Sequence, residues 1–298
     1  GSIGKFLFVA FFIAFAIKAP MVPAHTWLPD AAEQATPGAS TLLVGLLDKI
    51  GTLGMIRICL GLFPQASQWA TPFVLVLAVI SVLWGATMAV TSKDLMRLVS
   101  YTSVSHFGFM IIGIFAVTTT SLTGSIFYMF NHGFSTAALF LVLGFLVKRR
   151  GSAQIDAFGG VQKTAPVLAG MFLFAGLATM SLPGISNFIG EFMVLAGAWS
   201  RHPVYVAVAT LGMVLGAVYI LLTYKRTMTG PLTQATKEHV ATDLTGLEKA
   251  ALTPLVILLL VFGFFPRPML HVIEPVAHQT MSIVGVTDPA PAAEEGVK

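Results

Sequence analysis

The chain has 298 residues, of which 10% are charged and 56% hydrophobic, with a net charge of +4 and a mean hydropathy of +0.85. Soluble domains carry about 25% charged residues, so a chain this poor in charge cannot cover a water-facing surface. That excludes an ordinary cytoplasmic enzyme, a disordered protein and a disulfide scaffold. The single cysteine, Cys59, excludes an intrachain disulfide and any cysteine-rich metal or iron–sulfur site.

A spanning helix needs about 20 mostly apolar residues. Such runs fall near 5–20, 38–63, 72–91, 97–117, 122–147, 166–200, 203–224 and 250–266, which predicts about eight transmembrane helices. No period-two alternation competes, so the expected fold is all-α and polytopic. The first run has Lys5 ahead of it but no small-residue cleavage site behind it, and so reads as a span rather than a signal peptide. The opening Gly1-Ser2 reads as a cloning scar or the start of a piece of a longer chain. Two runs carry breaks, one at Lys18-Ala19-Pro20-Met21-Val22-Pro23 and one at Ser181-Leu182-Pro183-Gly184-Ile185-Ser186-Asn187. Proline removes a helical hydrogen bond and glycine frees the backbone. At membrane depth such segments are tolerated only inside protein or beside a water-filled cavity. Paired breaks of this kind mark transport sites, although an ordinary proline kink accounts for either one alone.

Lys and Arg gather in alternate loops: Lys93 and Arg97; Lys148, Arg149, Arg150 and Lys163; Lys225, Arg226, Lys237 and Lys249. The connections at 64–71 and 118–121 hold none, and the one near 201–203 holds only Arg201. The positive-inside rule puts the basic set in the cytoplasm and the C-terminus outside. Loop 21–37 falls on the basic side yet carries Asp30 and Glu33, a mild dissent. Scattered basic residues fit topology better than a nucleic-acid patch. The stretch 267–284 reads as an interfacial amphipathic helix. The Pro-, Ala- and acid-rich segment 285–298 reads as a disordered tail.

Charged side chains at mid-bilayer cost about 2.5–3.5 kcal/mol on insertion scales, and they usually line transport paths. Lys18 closes the first run, Asp48 and Lys49 sit in the second with Arg57 beyond them, His106 lies in the fourth, His132 in the fifth and Glu191 in the sixth. Each has a plainer reading. Arg57 lies near a helix end and can snorkel. A lone histidine in a bundle is often a packing residue, and Asp48 can simply neutralise its surroundings. Lys49 and Glu191 resist such readings, being flanked by apolar sequence on both sides apart from Asp48. Groups held away from water can gain or lose a proton when a partner moves, and a row of them would conduct protons. The dispersed histidines have no metal-ligand spacing.

The same residues carry a family resemblance. Phe15-Ala16-Ile17-Lys18-Ala19-Pro20 with His25-Thr26-Trp27-Leu28-Pro29-Asp30-Ala31 resembles the proton-translocating, antiporter-like membrane subunits of respiratory complex I. So do Leu98-Val99-Ser100-Tyr101-Thr102-Ser103-Val104-Ser105-His106-Phe107-Gly108, Asn131-His132-Gly133-Phe134-Ser135-Thr136-Ala137 and Leu182-Pro183-Gly184-Ile185-Ser186-Asn187-Phe188-Ile189-Gly190-Glu191-Phe192. These motifs stand in family order and cover most of residues 5–270. Sister subunits and Mrp sodium/proton antiporters usually have lysine where this chain has Glu191, which directs the resemblance to one subunit type; membrane-bound hydrogenases carry relatives too.

The resemblance implies an inverted-repeat fold of about fourteen helices entered at the seventh, with 5–63 as the end of the first repeat, 72–226 as the second and 250–266 as the final helix of a membrane domain over 1–284. It implies proton transfer along Lys18, Lys49, His106, His132 and Glu191, with the glutamate partner of Lys18 on an earlier helix absent. Asp48 departs from many relatives, which are apolar there. Partners would be neighbouring antiporter-like subunits and lipid, with no nucleic acid. The chain has no Rossmann glycine motif and no cysteine set. NADH, FMN, iron–sulfur clusters and quinone are therefore expected on other subunits or at their interfaces, in a bacterial plasma membrane.

Overall fold

The computed structural model describes residues 1–289, and every regular element among them is helical. Helix α1 (Ser2–Lys18) stops where Pro20 and Pro23 withhold backbone donors. The chain turns and resumes as α2 (Trp27–Gln34). The Trp27 indole donates to the Ile17 carbonyl at 2.7 Å, supplying a partner to one of the last carbonyls of α1.

Residues 37–60 form one helical stretch of mixed pitch: α3 (Pro37–Leu42), a π segment (Leu43–Leu47), α4 (Lys49–Gly54) and a second π segment (Met55–Leu60). Long helices follow: α5 (Pro64–Thr91), α6 (Leu95–Phe115) and α7 (Thr119–Arg150). Helices α8 (Pro166–Thr179) and α9 (Ser186–Trp199) flank the second expected break. Then come α10 (Pro203–Thr227), a short α11 (Gln234–His239), α12 (Gly246–Phe264) and α13 (Arg267–Val284). Side chains set several boundaries. Asp94 caps α6 through the Met96 and Arg97 amides, Thr245 and Glu248 form a capping box at α12, and α7 ends at left-handed Gly151.

Helix α6 is buried along its whole apolar window and packs on α5, α7 and α9. Close approach to α5 depends on small residues: a Cβ on Gly108 would lie 2.7 Å from the Ala78 carbonyl. Helix α12 lies at the rim, only 11% of its window being buried, but Gly263 lets it press on the break at Gly184 and Ile185.

Helices α5, α6, α7, α10 and α12 are long and apolar enough to cross a membrane, and a sixth span results if Ile155–Lys163 and Pro166–Thr179, bent by 115°, count together. The expected count of eight is not reached by that measure. The breaks are the reason: α1 has 17 residues, α8 and α9 have 14 each, and π turns divide 37–60.

The connections sort to two sides. Ala153 and Lys93 carbonyls pair with the Leu95 and Ile155 amides, and Gly160 and Gln162 amides donate to the Thr229 and Met228 carbonyls, so the three basic loops knit together. Loop 21–37 joins them: Arg97 donates to Asp30 at 2.6 Å and to Glu33 at 2.8 Å, which gives both acids a local cation. On the far side, α13 buries Ile273, Ala277, Thr280, Met281 and Val284 on one face, the amphipathic spacing expected. The Gln68 amide donates to the Val284 carbonyl. Of the segment expected to be disordered, residues 290–298 lie outside the described residues. Within 285–289, Asp288 accepts from the Thr119 amide and the Thr287 carbonyl from Arg201.

Candidate functional site

Lys49, on the first turn of α4, anchors a polar row through the apolar interior. Its Nζ donates to the Val44 carbonyl at 2.6 Å, a group inside the preceding π segment. The same Nζ lies 2.8 Å from His132 Nδ1 on α7 and above the Phe107 ring. An ammonium there donates to an unprotonated Nδ1, which puts the imidazole proton on Nε2, 3.1 Å from the Thr136 hydroxyl. Thr136 sits one helical turn from His132 on the same face of α7.

From His132 the row crosses to α6, where the His106 ring lies 5.1 Å from that of His132, edge to face. His106 Nε2 is 3.4 Å from the Tyr219 hydroxyl on α10. Beyond it is a cavity sized for about one water molecule, about 10 Å³, lined by His106, Thr179, Tyr219 and Glu191. Glu191, on α9, ends the row. Its Oε2 accepts from the Ser181 hydroxyl at 2.6 Å and the Tyr128 hydroxyl at 2.9 Å. Ser181 holds a left-handed backbone, φ 59°, inside the α8–α9 break, a conformation uncommon for a residue with a Cβ. The break therefore delivers a hydroxyl to the carboxylate that an unbroken helix would place elsewhere.

Four of the five expected residues, Lys49, His132, His106 and Glu191, thus stand together across α4, α7, α6 and α9. Lys18 stands apart: half-buried at the end of α1, it makes no ion pair among the described residues. Arg57 is exposed. Tyr128, Ser181 and Tyr219 were not among the expected residues. Tyr128 lies one turn before His132, so helical spacing points to it, and Ser181 opens the broken segment, so the break points to it. Nothing in the spacing points to Tyr219. No group of three or more His, Cys, Asp or Glu side chains able to hold a metal occurs among the described residues.

Fold and site define a polytopic helical membrane protein with a row of ionisable side chains through its interior. The family model for the transmembrane region of NADH:quinone oxidoreductases and Mrp antiporters matches residues 2–216, and the chain belongs to that family. NADH-quinone oxidoreductase subunit M of Mycobacterium tuberculosis H37Rv is 49% identical over 296 residues, 99% of this chain and 53% of that protein. Its namesake from Rickettsia prowazekii is 42% identical over 268 residues, 90% of this chain and 54% of that one. The chain spans about half the length of the curated relatives it matches. A chain of respiratory complex I from Thermus thermophilus with bound NADH superposes with TM-score 0.87 at 32% identity, over 95% of this chain and 60% of that one. A chain of the Mrp complex from Dietzia sp. DQ12-45-1b shares the fold, with TM-score 0.82 at 22% identity over 92% and 60%.

Proposed function

We propose that this chain forms part of the proton path of a chain M-type subunit of NADH:quinone oxidoreductase, the type to which Glu191 points. Protons pass along Lys18, Lys49, His132, His106 and Glu191. The observation that carries this reading is the 2.8 Å contact of Lys49 with His132, with the His106 ring 5.1 Å further on and a water-sized cavity that His106 and Glu191 both line. Such a contact lets the ammonium hand its proton to imidazole without crossing apolar medium. The second nitrogen, 3.1 Å from the Thr136 hydroxyl, releases a proton there, and Glu191 accepts one where Ser181 and Tyr128 stabilise the anion.

In this reading residues 72–226 are the second inverted repeat, 5–63 the end of the first, and 250–266 the final helix. Electron transfer from NADH to quinone belongs to other subunits, and neighbouring antiporter-like subunits and lipid surround this one. The basic loops face the cytoplasm of a bacterium, which puts α13 and the C-terminus on the outer side. Residues 1–284 make the membrane domain.

The test uses inverted membrane vesicles from a strain deleted for the full-length subunit and complemented with it. NADH oxidation should acidify the vesicles only in the complemented strain, at a rate independent of sodium. Sodium-dependent proton exchange without NADH, restored by the same gene, would contradict the reading in favour of an Mrp-type antiporter.

A further inference from the structure

Asp48 takes no part in the contacts described above. It is fully buried, and neither carboxylate oxygen has a hydrogen-bond partner among the described residues. A carboxylate left unpaired in an apolar interior is strongly unfavourable unless it exchanges a proton or finds a cation.

Its position supplies two such groups. Asp48 lies between the first π segment and α4, and its side chain makes no capping bond to either. Three residues on, and so on the same face, is Gly51. That face lies on the broken end of α1: a Cβ on Gly51 would meet the Ala19 amide and lie 2.7 Å from the Phe15 carbonyl. Lys18 is the residue just before Ala19 and the last of α1, so its side chain leaves the backbone at the point where α4 packs. Lys49 follows Asp48 by one residue, about 100° round the helix, and reaches the other way to His132. The start of α4 thus turns a carboxylate toward α1 and an amine toward α7. The π segment before it carries an extra residue per turn, a feature that recurs at functional sites.

We propose that Asp48 is a proton-carrying residue that takes a proton from the Lys18 ammonium and passes it to the Lys49 amine. This rests on the proton path proposed above. In the first step an N–H bond of Lys18 breaks and an O–H bond forms on Asp48, leaving a neutral amine and a neutral carboxyl. In the second the O–H bond breaks as an N–H bond forms on Lys49, which regenerates the carboxylate and leaves Lys49 charged and in contact with His132. Adjacent residues on a helix do not face one another, so the second step requires a rotamer change of Asp48 or one bridging water. Without the carboxylate, no proton carrier stands between the Lys18 ammonium and the Lys49 amine.

The experiment places Asp48→Asn, Asp48→Glu and Lys49→Ala in the full-length protein in its native membrane. It measures NADH-driven acidification of inverted vesicles per assembled complex. Asp48→Asn should lower pumping by about tenfold or more, the scale of a lost proton-transfer group, and Asp48→Glu should restore most of it. Parental pumping in Asp48→Asn with Lys49→Ala inactive would overturn the relay and leave the proton path standing. Parental pumping in both would overturn the path and the relay with it. Equal loss in Asp48→Asn and Asp48→Glu would also overturn the relay, since shape rather than acidity would then matter. Should Asp48→Asn not assemble, a membrane-soluble carbodiimide, which adds to protonated buried carboxyls, is applied to the parental complex during turnover. Labelling of the Asp48 peptide, read by mass spectrometry, supports the relay, and an unlabelled Asp48 overturns it.

Discussion

The Glu191 carboxylate is held by two hydroxyls from different elements, Tyr128 of α7 and Ser181 of the break. Hydrogen bonds to a charged group contribute about 1.5–3 kcal/mol each, so either donor alters how readily Glu191 holds a proton. Tyr128→Phe removes one donor at nearly constant volume. It should leave assembly intact and lower NADH-driven pumping about tenfold; unchanged pumping would mean that Ser181 alone holds the carboxylate. At this scale the sequence is informative about burial and silent about partners. Glu191, Lys49 and the histidines stand out because apolar residues flank them. Arg97 meets Asp30 and Glu33 across more than sixty residues. No local pattern encodes that pairing, so the two acids read as a dissent until the fold brings their cation.

The helices deliver these side chains through close backbone contacts and through interruptions. Gly190, the residue before Glu191, packs on Tyr128: an added Cβ would lie 2.8 Å from the Tyr128 Cα and 2.9 Å from its amide nitrogen. Gly190→Ala should therefore destabilise the subunit by about 1–3 kcal/mol, lowering the thermal transition of the purified complex and displacing Glu191 from its donors. Gly170 in α8 meets nothing within 4 Å. Gly170→Ala should leave that transition unchanged or raise it, by at most about 1 kcal/mol. Equal effects at the two sites would contradict this packing. Prolines and glycines announce both breaks, and Asp94, Thr245 and Gly151 announce helix ends. The π segments at Leu43–Leu47 and Met55–Leu60 have no such signal, because a π turn uses ordinary apolar residues and is imposed by the packing around it.

Across the whole molecule, one side is built from knitted basic loops and the other from α13 and the lysine-poor turns. Arg149 ties the basic side together, donating to the Phe145, Thr242 and Asp243 carbonyls and in bidentate fashion to Glu248. Single cysteines at Ser152 and at Val272, in a background lacking Cys59, should react with an impermeant maleimide from opposite sides of the membrane, Ser152 from the cytoplasm. Labelling of both from one side would contradict the two-sided arrangement. Charge alternation makes this sidedness legible in the sequence, because the loops carry the bias directly. The number of spans is less legible, since breaks and π turns cut apolar runs into pieces that hydropathy alone joins together.

The central claim is that Lys49 carries protons, and Lys49→Ala in the full-length subunit tests it most directly. Complex assembly, NADH oxidation and vesicle acidification are measured on the same membranes. An assembled complex whose pumping and coupled oxidation both fall by about tenfold or more is the predicted result. Parental rates of both in an assembled complex would contradict it and leave the contact between Lys49 and His132 a packing interaction.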